Sequence, residues 1–193
     1  AYFAMEIYLV RHTRVAIEKS VCYGQSDIEL ADSFPTELTE LQRKLNLRKD
    51  CVIYSSPLKR SLHLATAIFP AVQPITDIRL MELNFGDWEL KKWEELNPQE
   101  LELWMNDFVN VPCTGGESYS DLFQRSTAFF NQCLRKEHKQ VLIISHGGVI
   151  RSILSMILQI PLARSFSLQI DYGKVSKLNA ANTENILVEY INN

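Results

Sequence analysis

The chain has 193 residues, a formal net charge of −3, and hydrophobic and charged contents of 46% and 22%. This length suits one domain with a sizeable core, and the slight acidity argues against binding nucleic acid or an anionic membrane through bulk charge. No apolar run reaches the ~18 residues of a membrane span, and the segment before Met5 is too short for a signal peptide. Four scattered cysteines without a C-x-x-C pair indicate free thiols, so we expect a cytoplasmic location.

The first predicted strand, 6–10, ends abruptly in Arg11 and His12. Further apolar runs predict more strands, and apolar residues at helical spacing predict the helices between them. Ser56 and Pro57 are typical of a helix start, with serine as the N-cap and proline in the first helical position. The predicted strands are 6–10, 51–54, 75–78, 141–145, 174–180 and 185–190, and the predicted helices are 34–47, 57–69, 90–109, 117–137 and 147–158.

The alternation of strands and helices predicts an α/β fold, a three-layer α/β/α sandwich around a mainly parallel sheet. We expect residues 1–193 to form a single domain, since the sequence contains no repeat, linker or low-complexity stretch. From residue 80 the composition changes to a mixture of aromatic and acidic side chains. Residues 80–116, called the cap segment below, are therefore predicted to form a small helical cap over one edge of the sheet.

Charged and imidazole side chains come directly after several of the predicted strands. In open α/β sheets, ligands bind at the carboxyl ends of the strands, so these side chains are expected at one shared edge. They are Arg11 and His12 after the first strand, Arg60 after the second, Glu82 after the third and His146 after the strand at 141–145.

Two arginines, two histidines and a carboxylic acid suit the transfer of a phosphoryl group. Arginine offers a planar fork of donors for phosphate oxygens, and a neutral imidazole is a competent nucleophile near neutral pH. A carboxylic acid could protonate the leaving oxygen and then act as a base toward water. Gly147 and Gly148 open a helix behind His146 and would add backbone N–H groups to the anion site.

Other chemistries fit the sequence less well. Two histidines and a glutamate could bind zinc, but no HExxH-like pair is present and flanking arginines would disfavour a cation. The sequence contains neither a G-x-S-x-G elbow nor a P-loop, which argues against a serine hydrolase and a P-loop nucleotide enzyme. The other two histidines, His63 and His138, are expected at the surface. We therefore predict a site without metal.

Three sequence blocks resemble the motifs of the histidine phosphatase superfamily, which includes the cofactor-dependent phosphoglycerate mutases. They are LVRH at 9–12, SSPLKRS at 55–61 and SHGGVIR at 145–151. The resemblance extends over about residues 5–190 and implies a phosphoglycerate mutase-like fold with no cofactor. It also implies that His12 is the phosphorylated nucleophile, that Glu82 is the proton donor, and that the phosphate pocket contains Arg11, Arg60 and His146.

One branch of the family is more similar than the others. The block ELNFGDWE at 82–89, followed by a short cap and GGES at 115–118, resembles the alpha-ribazole phosphatases of cobalamin biosynthesis. This resemblance implies alpha-ribazole 5′-phosphate as the substrate. Three alternatives stay open: a broad-specificity sugar-phosphate phosphatase, a phosphoglycerate mutase, and a non-catalytic module that binds phosphorylated ligands. The short cap disfavours the mutase, and the complete set of histidines, arginine and acid disfavours the non-catalytic module.

The loop after His12 departs from the family pattern at three positions. Thr13 replaces a glycine, which keeps the backbone N–H and adds a hydroxyl to the predicted pocket. Arg14 replaces an acid and should make the entrance more positive, whereas Glu18 replaces an asparagine and would repel an anion. We therefore expect Gly24, acting through its backbone, and Gln25 to contact the phosphate in place of Glu18. The predicted phosphate-binding and substrate-binding residues are Arg11, Thr13, Gly24, Gln25, Arg60, His146 and Gly147.

Several side chains fit either the site or an ordinary structural role. The three tryptophans could line the substrate cleft or belong to the core, and Glu117 could bind substrate or complement a helix dipole. Tyr23 and Arg151 are open in the same way. The expected partner is a small phosphorylated metabolite, with no nucleic acid and no membrane, and a homodimer is possible. The tryptophans are Trp88, Trp93 and Trp104.

Overall fold

A six-stranded sheet in the order β3-β2-β4-β1-β5-β6 forms the centre of the protein in the computed structural model, which describes residues 5–193. The expectation about a leader concerns the first four residues, which lie outside this range. The strands are β1 (Met5–Arg11), β2 (Val52–Ser55), β3 (Ile75–Thr76), β4 (Gln140–Ser145), β5 (Val175–Ala180) and β6 (Ile186–Tyr190).

Five α-helices connect and cover these strands. They are α1 (Phe34–Lys44), α2 (Lys59–Ile68), α3 (Pro98–Asn106), α4 (Tyr119–Leu134) and α5 (Gly147–Leu158), and shorter 3₁₀ turns lie at Ile78–Leu80, Gly86–Trp88, Trp93–Glu95 and Leu162–Ser167. Among the residues that the structure describes, no helix is long and apolar enough to cross a membrane.

The four strands that lead toward the predicted site are parallel, and the register brings their carboxyl ends together. β1 pairs with β4 so that Arg11 lies opposite Ser145, and β2 pairs with β4 so that Ser55 lies opposite Ile144. β3 is parallel to β2, whereas β5 is antiparallel to β1 and β6 is antiparallel to β5. The prediction of a mainly parallel sheet is confirmed.

Both faces of the sheet are covered by helices. In β1, Ile7 and Leu9 pack with the apolar residues of α4 and α5, whereas Tyr8 and Val10 pack with those of α1 and α2. Burial on both faces explains why the central strands are continuous apolar runs without polar alternation. The three-layer α/β/α prediction is therefore confirmed.

The prediction of one long helix over 90–109 is wrong. The chain forms a 3₁₀ turn at Trp93–Glu95 and begins a new helix, α3, at Pro98. The Asn97 side-chain oxygen accepts hydrogen bonds from the N–H groups of Gln99 and Glu100, so Asn97 caps α3 and separates it from the preceding turn. Proline favours the first helical turn, which strengthens this boundary.

The start of α2 also differs from the prediction. The helix begins at Lys59, so Ser56 is not its N-cap. The Ser56 hydroxyl lies 2.8 Å from Nε2 of His146 and accepts a long hydrogen bond of 3.3 Å from the Leu58 N–H. The contact with His146 places Ser56 in the candidate site. The predicted strand at 75–78 is shortened to Ile75–Thr76, because the chain turns into a 3₁₀ helix at Ile78.

Candidate active site

A cavity of about 280 Å³ opens at the carboxyl ends of β1 and β4. Four of the predicted catalytic side chains line it, and the fifth, His146, is completely buried against them. The ring centroids of His12 and His146 are 5.1 Å apart. The parallel register therefore brings together residues that are separated by up to 135 positions in sequence (146 − 11). The four that line the cavity are Arg11, His12, Arg60 and Glu82.

The hydrogen-bond partners of His12 determine which ring nitrogen carries the proton. Nδ1 lies 2.8 Å from the Thr13 carbonyl oxygen, and Nε2 lies 3.2 Å from Nε of Arg60. A carbonyl oxygen only accepts and a guanidinium only donates, so the proton is on Nδ1. Nε2 therefore has a lone pair that accepts from Arg60, and the His12 side chain lines the cavity.

The imidazole of His12 is held in its neutral form. Burial lowers its pKa well below the usual 6.5, and the positive charges of Arg60 and Arg11 lower it further, against a smaller opposite effect of the Thr13 carbonyl. Burial and the same two arginines, with His12, also lower the pKa of His146. Because only the neutral ring keeps a lone pair on Nε2, this environment favours His12 as a nucleophile at neutral pH.

Arg60 is almost completely buried, with 1% of its surface exposed, and the loop after β1 satisfies its donors. Nη1 donates to the Ser26 carbonyl over 2.8 Å, and Nη2 donates to the Gly24 carbonyl. Arg11 donates from Nη1 to the Ile170 carbonyl over 2.7 Å, and its guanidinium lies 3.8 Å above the Tyr172 ring. Both arginines are thus oriented by neutral groups, and no carboxylate in the described chain forms an ion pair with either.

His146 is held by two serines of the second motif. Its Nε2 lies 2.8 Å from the Ser56 hydroxyl and 3.4 Å from the Ser61 hydroxyl. Within residues 5–193, Nδ1 has no hydrogen-bond partner. The serines orient the ring beside His12, and they explain why the second motif places hydroxyl residues on both sides of Arg60.

The carboxyl group of Glu82 faces the cavity and accepts two backbone hydrogen bonds. Leu83 N–H donates to Oε1 over 3.0 Å, and Gly148 N–H donates to Oε2 over 3.1 Å. A Cβ atom at position 148 would lie 2.3 Å from Oε1, so only glycine permits this approach. Gly148 lines the cavity, and Gly147, the glycine predicted to bind phosphate, does not.

Gly24 and Gln25 differ from their predicted roles. Their N–H groups donate to the Glu89 carboxylate over 3.0 and 2.8 Å, so the Gly24 backbone N–H is not directed at a phosphate. The Gln25 side chain donates to the Glu82 carbonyl over 3.1 Å, and neither residue lines the cavity. A Cβ on Gly24 would lie 1.8 Å from the Leu83 carbonyl oxygen, which explains the glycine. Gly24 and Gln25 therefore stabilise the site from outside the cavity, through their hydrogen bonds to Glu89 and Glu82.

The departures from the family pattern lie outside the cavity. The Thr13 side chain is completely buried, its hydroxyl has no partner within the described residues, and it adds nothing to the cavity wall. Arg14 is exposed and pairs with Glu37 at 3.2 Å instead of facing the entrance. Glu18 is exposed, and its nearest cationic partner is Lys92, at 3.9 Å.

The outer wall of the cavity is aromatic, and the sequence motifs identify only part of it. Trp93 and Trp104 line it, whereas Trp88 belongs to the core. Tyr23 also lines it, with its hydroxyl 2.5 Å from that of Tyr172. Tyr172, Phe108 and Phe166 follow no strand and belong to no motif, so no sequence signal pointed to them. Lys19 also lines the cavity without any sequence signal. Arg151, for which the sequence left two roles open, lines the cavity as well.

Glu117 and the two remaining histidines lie outside the cavity. Glu117 does not line the cavity but forms an ion pair with Arg125. His63 is exposed, as predicted, whereas His138 is half-buried, with Nε2 3.1 Å from the Tyr54 hydroxyl. Within residues 5–193, no cluster of three or more histidine, cysteine or acidic side chains could hold a metal ion.

The family model of the histidine phosphatase superfamily, branch 1, matches residues 7–193. The chain therefore belongs to this superfamily, and its relatives that are named phosphatases support the same enzyme class. A solved structure, that of a putative alpha-ribazole-5′-phosphate phosphatase from Escherichia coli, superposes with a TM-score of 0.87 at 22% identity. That match covers 98% of this chain and 97% of the other.

Curated relatives carry three different functional names. A putative phosphoserine phosphatase 2 of Hydrogenobacter thermophilus is 27% identical, covering 96% of this chain and 94% of the relative. A probable phosphoglycerate mutase of Proteus mirabilis is 30% identical, and the match covers 93% of this chain and 86% of the relative. The adenosylcobalamin/alpha-ribazole phosphatase of Escherichia coli is 26% identical, covering 88% and 87%. The chain is thus a phosphatase of this superfamily, with relatives that differ in substrate.

The lowered pKa values of the buried histidines predict a loss of stability in mild acid. Below the usual pKa of 6.5, unfolded His12 and His146 take up protons that the folded protein excludes. The free energy of unfolding should therefore fall as the pH decreases from about 7 to about 5.5, by up to ~1.4 kcal/mol per pH unit for each histidine. Urea denaturation at a series of pH values measures this slope.

Two variants test whether the buried histidine causes the pH dependence of the free energy of unfolding. His12→Asn should make the slope shallower, because one proton uptake is removed. His63→Asn, a change at an exposed position on α2, should leave the slope as it is in the parent protein. An unchanged slope in His12→Asn would contradict the assignment of a neutral buried imidazole.

Proposed function

We propose that the protein is a metal-independent phosphomonoesterase that forms a phosphohistidine on His12 and acts on alpha-ribazole 5′-phosphate. The observation that carries the proposal is the state of His12, a neutral ring that lines the cavity. Its proton is held on Nδ1 by the Thr13 carbonyl, and its Nε2 lone pair accepts from Arg60. Arg11 and Arg60 flank this nucleophile, and they supply the positive charge that a metal ion would otherwise provide.

In the first step, the phosphoryl group binds between the arginines with His146 beside it. Nε of Arg60 turns its hydrogen bond from His12 to a phosphoryl oxygen, which releases the lone pair of Nε2. Nε2 of His12 then attacks phosphorus, the new P–N bond forms, and the bond from phosphorus to the ester oxygen breaks. Glu82 gives its proton to the departing oxygen. The hydrogen bond from Nδ1 to the Thr13 carbonyl stabilises the positive charge that develops on the ring, and the arginines stabilise the charge on the phosphoryl oxygens.

In the second step, water replaces the alcohol. The Glu82 carboxylate removes a proton from water, the oxygen attacks phosphorus, and the P–N bond breaks with its electron pair returning to Nε2. Inorganic phosphate leaves, and both His12 and Glu82 are restored to their starting protonation states. Transfer to water instead of a second alcohol makes the overall reaction a hydrolysis.

The aromatic wall supports the choice of substrate. The Trp93 and Trp104 rings are stacked with centroids 6.1 Å apart, and the Phe108 and Phe166 rings lie 5.4 Å apart. An aromatic base such as that of alpha-ribazole gains contacts on such a wall. The small polar alcohols of phosphoserine and phosphoglycerate would leave it largely unfilled. A relative with the alpha-ribazole phosphatase name points the same way.

The first test combines a nucleophile variant with metal removal. We expect hydrolysis of p-nitrophenyl phosphate to continue in excess EDTA and to disappear in His12→Ala, because the attacking atom is lost. His63→Ala serves as the control and should retain activity. Loss of activity in EDTA would indicate a required metal, and full activity in His12→Ala would contradict the phosphohistidine mechanism.

The second test concerns the proton donor. Glu82→Gln should slow the hydrolysis of alkyl phosphates about a hundredfold or more, and that of p-nitrophenyl phosphate much less, because a good leaving group departs without a proton. The measurement is kcat/KM for esters whose leaving groups differ in pKa. Equal slowing of all the esters would remove Glu82 from this role.

The third test concerns the substrate. We expect kcat/KM for alpha-ribazole 5′-phosphate to exceed that for phosphoserine and for glucose 6-phosphate by at least about tenfold, from contacts with the aromatic wall. Trp93→Ala should reduce this preference while leaving the hydrolysis of phosphoserine nearly unchanged. Faster turnover of phosphoserine would contradict the assignment. Conversion of 3-phosphoglycerate to its 2-phospho isomer would indicate a mutase instead.

A further inference from the structure

The segment that carries Glu82 has no regular secondary structure of its own. The chain leaves the 3₁₀ turn at Ile78–Leu80, and residues 82–85 form neither helix nor strand. A general acid must nevertheless stay within hydrogen-bonding distance of the leaving oxygen, and misplacement by about 1 Å can cost about a hundredfold in rate. Some other part of the fold must therefore hold this segment.

The guanidinium of Arg125, on α4, binds the segment through its backbone. Nη1 donates to the Met81 carbonyl over 2.6 Å and to the Arg79 carbonyl over 2.9 Å, and Nη2 donates to the Glu82 carbonyl over 2.9 Å. One side chain thus satisfies three carbonyl groups within four residues. The Glu82 carbonyl also accepts from the Gln25 side chain, so loss of the guanidinium would leave chiefly the Arg79 and Met81 carbonyls free to turn toward water.

Glu117 completes the arrangement from the other side. Its carboxylate accepts from Nε of Arg125 over 2.7 Å and from Nη2 over 2.9 Å, in a two-pronged ion pair that is about four-fifths buried. The same carboxylate accepts from the Asn84 N–H over 2.8 Å, and the Glu117 N–H donates to the Asn84 carbonyl over 2.8 Å. Hydrogen bonds therefore fix the chain both at Glu82 and two residues after it.

We propose that Arg125, oriented by Glu117, is the positioning residue that keeps the carboxyl group of Glu82 at the leaving oxygen. Neither Arg125 nor Glu117 lines the cavity, so their effect on the reaction passes through Glu82. The inference rests on the proposed role of Glu82 as the proton donor. It assigns a function to the acidic residue of the GGES block, which the cavity itself leaves unexplained.

Replacement of Arg125 by lysine separates geometry from charge. Lysine keeps the positive charge, but its three donors lie on a single nitrogen and cannot span two carboxylate oxygens and three carbonyl groups. The variant thereby retains the positive charge at position 125, which contributes to the lowered pKa of His146, and loses the fork that holds the segment. Arg79→Lys is the matched control. The Arg79 guanidinium binds Asp77 and Gln132 and lies over the Phe129 ring, and within residues 5–193 it forms no hydrogen bond to the Glu82 segment.

The experiment measures kcat/KM of Arg125→Lys on esters with good and poor leaving groups. We expect a loss of about tenfold to a hundredfold on alkyl phosphates and little loss on p-nitrophenyl phosphate, with Arg79→Lys close to the parent on both. In a Glu82→Gln background, Arg125→Lys should cause little further loss, since the group that it positions is already absent. Glu117→Gln should reproduce the pattern, and it replaces Arg125→Lys if that variant does not fold.

Two results would overturn the inference alone: equal slowing of all esters by Arg125→Lys, or a full additional loss in the Glu82→Gln background. Either would mean that Arg125 serves the fold in general. If Glu82→Gln itself responds equally to all leaving groups, the proposed role of Glu82 fails and this inference fails with it. Comparison of the two single variants distinguishes these cases.

Discussion

The burial of the Arg60 guanidinium is the constraint on which the rest of the site depends. A buried charge is costly unless its donors are satisfied, and here the Gly24 and Ser26 carbonyls accept from both terminal nitrogens. The remaining Nε donor points at Nε2 of His12, which settles the tautomer of the nucleophile. Its charge also lowers the pKa of both histidines. One side chain therefore places a positive charge beside His12, orients its ring and keeps the ring neutral.

The loop that satisfies Arg60 is itself held by the cap segment. The Glu89 carboxylate accepts from the N–H groups of Gly24 and Gln25 and from the Ser26 hydroxyl, the last over 2.7 Å. Successive N–H groups turned to one side form a natural anion site, and in this protein a carboxylate of the chain itself fills it. The cap segment thus contributes indirectly to the cavity wall at Arg60, because Glu89 holds the loop and the loop holds Arg60.

Two networks, which meet where the Gln25 side chain donates to the Glu82 carbonyl, support the two halves of the proposed reaction. Glu89 and the loop hold Arg60 beside His12, and Arg125 with Glu117 holds the segment of Glu82. The aromatic side chains of the wall take no part in these hydrogen bonds. Most of them lie on the cap segment and on the chain after α5, and Tyr23 lies in the loop after β1. This separation allows relatives in the superfamily to keep the phosphoryl chemistry and to differ in the alcohol that they accept.

The sequence by itself determined the α/β layers, the parallel core of the sheet, and the placement of His12, Arg60, Glu82 and His146 at one edge. It could do so because apolar runs and the residues that end them are local signals, and parallel strands bring their carboxyl ends together. Tertiary structure alone decided that Gly24 binds Glu89, that α3 is separated from the turn before it, and that Tyr172 and Arg125 belong to the site's surroundings. These features depend on contacts between segments far apart in the chain. No spacing or periodicity records such contacts, because each becomes possible only after the sheet and helices have packed.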